Sequence, residues 1–395
     1  MNEPAALRRA RIAAMLAFAT NGALPATLLA RYAEVKAGLG LDAGLFGLVA
    51  GAYMVGAACA FHLPGIILRR IGMRATAAFG TTWVGLSVVA AATGVVIGSP
   101  WLFAIGMACA GLGDAIVDVA QNAQGLRVQE AYGRSLLNSM HAGWSIGAAI
   151  GGAVGTLAAT LGVPLLVHIG VWAVVCVASM AFSSLRFLPD LHGEPDDEAA
   201  AGSIGRRAIW LLLPLALVAL AGISVEDVGN NWSAVLLSSE RGMTLESAGI
   251  GLTVLLVAQF IGRLSGDRFI DAVGSRSALI VSLSLVVGGL LLAAWAPMAW
   301  LTIAGLAVAG IGCAVTVPIA FAEADALPGL KAHAGVTAIN WMMRAATVGL
   351  TPAIGGITAV SALPVAISAI ALVALVALLL QLRPARRRPA SETPA

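Results

Sequence analysis

The chain has 395 residues, of which 59% are hydrophobic and 11% charged, with a net charge of +3. A soluble domain carries about 25% charged residues, and mean hydropathy here is +0.92. These values exclude a soluble enzyme, a disordered chain and a coiled coil, and they offer no polybasic surface for nucleic acid. The expectation is an all-α integral membrane protein embedded in the lipid bilayer, with no enzymatic activity. There are 46 glycines, about 12% of the chain, and small residues let membrane helices approach closely. Cys59, Cys109, Cys176 and Cys313 fall in separate apolar runs with no CxxC or Cys/His spacing. Neither a metal site nor a disulfide framework nor a cofactor is therefore expected.

A spanning helix needs about 20 mostly apolar residues. Twelve such runs follow one another: 12–30, 43–67, 75–97, 101–124, 135–160, 163–185, 208–230, 246–268, 276–295, 298–321, 334–357 and 361–382. Eleven further runs after the first make it a retained helix rather than a signal peptide. Alternating the loops puts Arg8, Arg9, Arg11, Arg69, Arg70, Arg74, Arg127, Arg134, Arg186, Arg206, Arg207, Arg263, Arg268, Arg276, Lys331, Arg383, Arg386, Arg387 and Arg388 on one side. Arg31, Lys36 and Arg241 fall on the other, and Arg344 within the membrane. That bias predicts cytoplasmic termini in a cytoplasmic (inner) membrane, with Trp101, Trp295 and Trp300 at the outer interface. An acidic, Pro-containing segment at 187–207 divides the runs six and six. It is expected to link an N-terminal bundle, 1–186, to a C-terminal bundle, 208–382, followed by a basic tail, 383–395.

The halves repeat. A shift of 202 residues superposes Gly72 on Gly274, Asn138 on Asn340, Met140 on Met342 and Gly147 on Gly349. A shift of 199 superposes Gly111, Gly113 and Ala115 on Gly310, Gly312 and Ala314. Parallel repeats of this kind suit alternating access around a site at mid-depth.

The remaining information lies in polar residues that are costly to bury. The first run carries Thr20 and Asn21 near mid-depth, with Pro25 as a kink. On the fourth, Asp114, Asp118, Gln121 and Asn122 share a helix face. Asp114 stands about 18 Å from the cytoplasmic end at 1.5 Å per residue. A charged carboxylate there costs roughly 2.5–3.5 kcal/mol, so it must be protonated, paired or open to water. That is the chemistry of proton coupling, although a structural, hydrogen-bonded carboxylate satisfies the same constraint. The fifth run offers Ser135, Asn138, His141 and Ser145 at helical spacing, with His141 a proton shuttle or a merely hydrogen-bonded side chain. The seventh ends in Glu226, Asp227, Asn230 and Asn231, expected near the outer face as a gate or as an interfacial helix end. The eleventh carries a stripe of Thr337, Asn340, Arg344, Thr347 and Thr351, which must face a cavity because lipid would leave it unpaired. Arg344, at a depth similar to Asp114, needs an acidic partner or an anionic ligand.

The segments Gly65–Arg74 (GIILRRIGMR) and Asp267–Arg276 (DRFIDAVGSR) resemble the cytoplasmic G-x-x-x-D-R-x-G-R-R signature of the major facilitator superfamily. Gly65, Arg70, Gly72 and Arg74 keep their places in the first copy, where Arg69 replaces the acid. Asp267, Arg268, Asp271, Gly274 and Arg276 carry the second. Residues 111–152, with ARYAEVKAGLGL at 30–41 and EDVGNNWSAVLL at 226–237, resemble a bacterial permease subgroup near the fucose permease branch. The resemblance implies two pseudo-symmetric six-helix bundles, with spans one, four, seven and ten lining the cavity. It also places Asp114 on the span where that branch carries its proton-linked acid. Gly147–Gly152 (GAAIGG) lacks the proline of the G-P-x-x-G-G element of drug/proton antiporters.

The expected function is secondary transport of a small polar solute, with uptake of a sugar or related metabolite coupled to protons. Asp114, Asp118 and His141 would couple, and Asn21, Asn138, Ser145, Asn340, Arg344 and Thr347 would line the substrate cavity. Proton-driven efflux of amphipathic compounds and a non-transporting sensor or scaffold are the alternatives. Gly111–Asp114 also spells GxGD, a signature of intramembrane aspartyl proteases, but no partner carboxylate helix accompanies it. A two-bundle chain of this kind is expected to work as a monomer.

Overall fold

The structure, a computed structural model, describes residues 5–60, 63–133, 136–189, 206–327 and 334–382. Most of the expected linker (190–205), the tail (383–395) and the residues Arg134, Ser135 and Lys331 lie outside the described residues, as do the side chains of Asn138, Arg206 and Arg207. The helices are α1 (Ala5–Leu29), α2 (Tyr32–Gly38), α3 (Ala43–Cys59), α4 (Leu63–Val96), α5 (Pro100–Tyr132), α6 (Leu137–Thr160) and α7 (Leu165–Ser184). In the second half follow α8 (Arg206–Asp227), a π-helical turn (Val228–Trp232), α9 (Ser233–Ser239), α10 (Ile250–Val273), α11 (Ser275–Trp295), α12 (Ala299–Cys313), α13 (Thr316–Asp325), α14 (Ala334–Val360) and α15 (Leu363–Leu382).

Among the described residues, ten spans are long and apolar enough to cross a membrane, with α8–α9 and α12–α13 each forming one of them. At the places of the second and eleventh expected runs stand α3, apolar and 17 residues long, and α14, 27 residues long and carrying the polar stripe. Phe79, Leu86, Trp101, Val174 and Leu264 are each about two-thirds exposed. An apolar surface of that kind belongs against lipid. Trp101, Trp295 and Trp300 are exposed at helix ends, where an aromatic belt would place them.

Local sequence explains where helices begin and stop. Asp42 caps α3, its Oδ1 accepting from the Leu45 N–H at 2.8 Å. Ser99 caps α5 ahead of Pro100, and Gly133 closes that helix at φ 64°, in the left-handed conformation that glycine adopts without a Cβ clash. The break between α12 and α13 follows from Pro318: lacking an N–H, it excludes the Ala314 carbonyl from an intact helix.

Three boundaries differ from expectation. The second run ends at Cys59, and the signature segment expected as a loop is itself helical from Leu63, joining the third run through a break at Gly72. The fourth run continues to Tyr132. The seventh does not end near 230 but proceeds through the π turn to Ser239. Its polar cluster suggested a wet helix end, whereas in the fold Glu226, Asp227 and Asn231 bond to groups on neighbouring helices or to one another.

The repeat extends to backbone geometry. Gly72 has φ 78°, ψ 166°, and Gly274 has φ 80°, ψ 152°, a region essentially confined to glycine. Two residues on, each copy uses an arginine in the same way. Arg74 Nη2 donates to the Phe187 carbonyl at 2.6 Å, just past α7. Arg276 donates through Nε and Nη2 to the Gln381 carbonyl at 3.1 and 3.0 Å, in the last turn of α15. Both place positive charge where a helix C-terminus leaves carbonyls unpaired. The other signature residues Arg70, Asp267, Arg268 and Asp271 are exposed, and Gly65 is half-buried. Gly72→Ala and Gly274→Ala should each cost about 1–3 kcal/mol and lower the unfolding midpoint in detergent. Gly349→Ala, where an added Cβ meets nothing within 4 Å, should not.

Candidate functional site

Asp114 and Asp118 sit one turn apart on α5, half-buried, far from either end of the 33-residue helix. The Asp114 carboxyl is hydrogen-bonded by the Tyr53 hydroxyl of α3 and the Asn21 amide of α1, with Asp118 close enough to act on it electrostatically. Glycine makes that meeting possible. A Cβ on Gly111, one turn before Asp114, would land on the Tyr53 carbonyl, so the α3 and α5 backbones approach only because it is absent. Asp118 Oδ1 accepts from Gln121 Nε2 at 3.1 Å and Asn122 Nδ2 at 3.0 Å. The two carboxylates therefore differ: one is held by donors from two other helices, the other by its own.

His141 stacks edge-on against Phe18, ring centroids 5.0 Å apart, and is electrostatically coupled to Asp118 and Arg263. Arg263 was counted from sequence among the cytoplasmic loop cations. It lies instead within α10, about 15 Å before the Gly274 turn at 1.5 Å per residue. Its Nη1 donates to Ser145 Oγ of α6 at 2.7 Å and its Nη2 to Glu226 Oε1 of α8 at 2.9 Å. One guanidinium thus ties the two halves of the chain together. Gln259, one turn earlier, donates to the same Glu226 oxygen at 2.5 Å and to Cys313 Sγ at 3.5 Å. Gln259 and Arg263 are the functional candidates that the sequence reading missed. Their spacing of four on an apolar helix was the available signal, hidden by counting Arg263 with the cytoplasmic loop cations although the expected run 246–268 contains it.

Cys313 occupies the position that the 199-residue repeat pairs with Asp114. The second half thus has a thiol beside an Arg–Glu pair where the first has a carboxyl beside Tyr and Asn. Glu226 is half-buried inside the span rather than at its outer end, as is Asn230. Asp227 is buried, and its Oδ1 accepts from Asn231 Nδ2 at 2.9 Å and from the Thr351 hydroxyl of α14. Asn231 Nδ2 also reaches Thr351 Oγ1 at 3.0 Å. These contacts hold the π turn, a local widening that often marks functional positions in helices.

The halves meet at the end opposite Gly72 and Gly274. A Cβ on Gly47 of α3 would stand 2.9 Å from the Thr351 carbonyl and 3.0 Å from Gly355 Cα, and one on Gly51 would stand 2.9 Å from Pro352. A Cβ on Gly152 of α6 would lie 3.0 Å from Thr253 Oγ1 of α10, and Gly249 packs on the Ala30 carbonyl. An aromatic chain fills the same end. Phe46 meets Trp232 edge-on at 5.5 Å and Tyr32 at 5.4 Å, and Tyr32 meets Phe103 at 6.2 Å. All four rings are fully buried.

The stripe on α14 runs from this closed end outward. Thr351 is fully buried and bonded to Asp227. Thr347 is half-buried, and its hydroxyl donates to the Arg344 carbonyl at 3.0 Å. Arg344 and Asn340 are exposed. Spacings of four and three keep these on one face, whereas the exposed Ala345, Gly349 and Ala353 lie further around the helix. Asp114 and Arg344 do not pair; Asp114 is held by Tyr53 and Asn21 instead. Among the described residues no group of acidic, His or Cys side chains could hold a metal ion.

A Cβ on Gly44 would sit 3.3 Å from Ala359 Cβ, close to the 3.5–4.5 Å that a disulfide needs. Gly44→Cys with Ala359→Cys, in a background without the native cysteines, should therefore cross-link on mild oxidation. With a protease site inserted in the 190–198 segment, the cut halves should run together on a non-reducing gel and separate on reduction. Halves that separate without reductant would show that this end is not held closed.

Comparison with known proteins places this arrangement. A sequence model of the Major Facilitator Superfamily matches residues 11–269. An uncharacterized MFS-type transporter of Yersinia pestis is 27% identical over 331 residues, 84% of each chain. An uncharacterized transporter of Sinorhizobium fredii is 28% identical over 328 residues, 81% of this chain and 84% of that one. Among solved structures, the nucleoside transporter NupG superposes with a TM-score of 0.70 at 12% identity, covering 96% of this chain and 98% of that chain. The fucose transporter FucP in its outward conformation superposes at 0.58 and 17% identity, covering 93% and 97%.

Proposed function

The chain belongs to the major facilitator superfamily, and we propose that within it this transporter moves a small polar solute, coupled to protons, by alternating access. It is a multi-pass membrane transporter and not an enzyme. We further propose twelve crossings, with α3 and α14 joining the ten apolar spans, in the cytoplasmic membrane with both termini inside. The bundles would divide at 186 and 208 around the acidic linker. On that orientation the closed end is the outer one, and the molecule faces the cytoplasm. Two inward-facing structures of a bacterial homologue of the lysosomal transporter Spinster superpose at TM-scores of 0.68 and 0.70, in keeping with this reading.

The observation that carries the proposal is the Asp114–Tyr53–Asn21 cluster. A carboxyl held among three helices in mid-span cannot remain charged in apolar surroundings without compensation. A neutral acid fits a closed interior and a carboxylate fits an open, wet one, so each rocking cycle can carry a proton. Tyr53 and Asn21 keep the carboxyl aimed while the surroundings change. Asp118, fixed on its own helix, and His141 would relay protons between Asp114 and the open side. Ser145, Asn340 and Thr347 would contact the solute. Hydroxyl and amide groups suit a polyhydroxy compound, and the structurally similar nucleoside transporter NupG and fucose:proton symporter FucP carry solutes of that chemistry.

Asp114→Asn keeps the hydrogen-bonding shape and removes the titration. Proton-driven uptake into vesicles should fall at least tenfold and lose its dependence on external pH, while solute binding to purified protein survives. Uptake by the variant that still responds to pH would remove Asp114 from the coupling role.

A further inference from the structure

Arg344 is a cation for which the fold supplies no described side-chain partner. Arg263 is held by Glu226 and Ser145, Arg31 by Glu34 and the Val163 carbonyl, Arg74 and Arg276 by helix ends, and Arg241 by the Ala294 carbonyl and Thr302. The Arg344 guanidinium makes no hydrogen bond or ion pair with any described residue, although Arg344 is the eleventh residue of α14. Guanidinium does not shed its proton, so the charge persists wherever the helix carries it. Glu323 on α13, the helix packed beside α14, is half-buried and does not pair with it either. The position is not a lipid-facing accident. It shares its face with Thr351, which is bonded to Asp227 of α8, and it lies where that face turns from buried to open. Asn340, one turn away, is equally open.

We infer that Arg344 is the docking point for an anionic group on the transported solute, so that the substrate is a small organic anion rather than a neutral sugar. This rests on the transport reading above and narrows its substrate class. The planar guanidinium presents paired donors that match a carboxylate or phosphate. Asn340 adds an amide beside it for a neighbouring hydroxyl. Bringing in an anion also supplies the charge partner that the helix lacks, so binding stabilises the arrangement of α14 against α8.

The test is thermal stabilisation of the purified full chain by pairs of compounds that differ in one charged group: gluconate and glucose 6-phosphate against glucose, lactate against propane-1,2-diol, and ribose 5-phosphate against ribose. The expected result is stabilisation by an anionic member and not by its neutral partner. A carboxylate hit and a phosphate hit distinguish the two possible sources of the charge. The stabilisation should be lost in Arg344→Gln and weakened about tenfold or more in midpoint concentration in Arg344→Lys, which keeps the charge but not the fork. Because Arg344 is exposed and unbonded, both variants should unfold at the wild-type temperature without ligand. Stabilisation by neutral members alone, or by anions equally in Arg344→Gln, would overturn the inference and leave the small-solute reading standing. No stabilisation by any member would overturn both.

Discussion

The constraint on which the rest of this structure depends is that a chain passing through hydrocarbon cannot leave polar groups without partners. Backbone groups meet it by forming helices. Side chains meet it in three ways here. Some bond to their own helix, as Asp118 does with Gln121 and Asn122. Some bond across helices, as Asp114 does with Tyr53 and Asn21, and Arg263 with Glu226 and Ser145. The rest, Arg344 and Asn340 among them, stand exposed.

Close approach is the means by which the second class is built. Gly111 brings the α3 backbone against α5 beside Asp114. A Cβ at Gly147 would strike the Ala19 carbonyl and one at Gly151 the Ala23 carbonyl, so α6 presses on α1 above and below the level of Asn21. The apolar face of the same helices holds nothing together in lipid, since hydrocarbon outside is as apolar as leucine inside. Small residues are thus what aim the polar ones, and the high glycine content is part of the site.

The sequence made the membrane class, the repeat and the Asp114 face legible because each is a periodic signal: length of apolar run, shift of 199 or 202 residues, spacing of four. Gly72 and Gly274 confirm the repeat at the level of φ and ψ. What escaped was partnership across helices. Charge counting assigned Arg263 to a loop and Glu226–Asn231 to a helix end, since a charge in a hydropathy pattern marks a boundary unless its partner is visible. The partners, Ser145 and Thr351, are more than 100 residues away and individually ordinary. Arg31 and Arg241 stood out against the charge bias for the same reason. Each is absorbed by carbonyls and a nearby polar group rather than left as a loop cation.

The closed end also explains how such a molecule can move at all. Its aromatic packing is dense, with Phe46 and Trp232 packed edge to face, and by itself would favour closure. Yet Tyr32 Oη, Trp232 Nε1 and Asp227 Oδ2 are buried there without hydrogen-bond partners among the described residues. An unmet buried polar group costs roughly 1–3 kcal/mol. Three of them offset much of what the rings contribute, since an aromatic pair adds only about 0.5–1.5 kcal/mol beyond its buried area. Opening that end would wet all three. The plug is therefore balanced between apolar contact that favours closure and polar groups that favour water. On the alternating-access reading proposed above, a balance of that kind would let a ligand or a proton, acting through Asp227, Thr351 and the α14 stripe, decide which side is open.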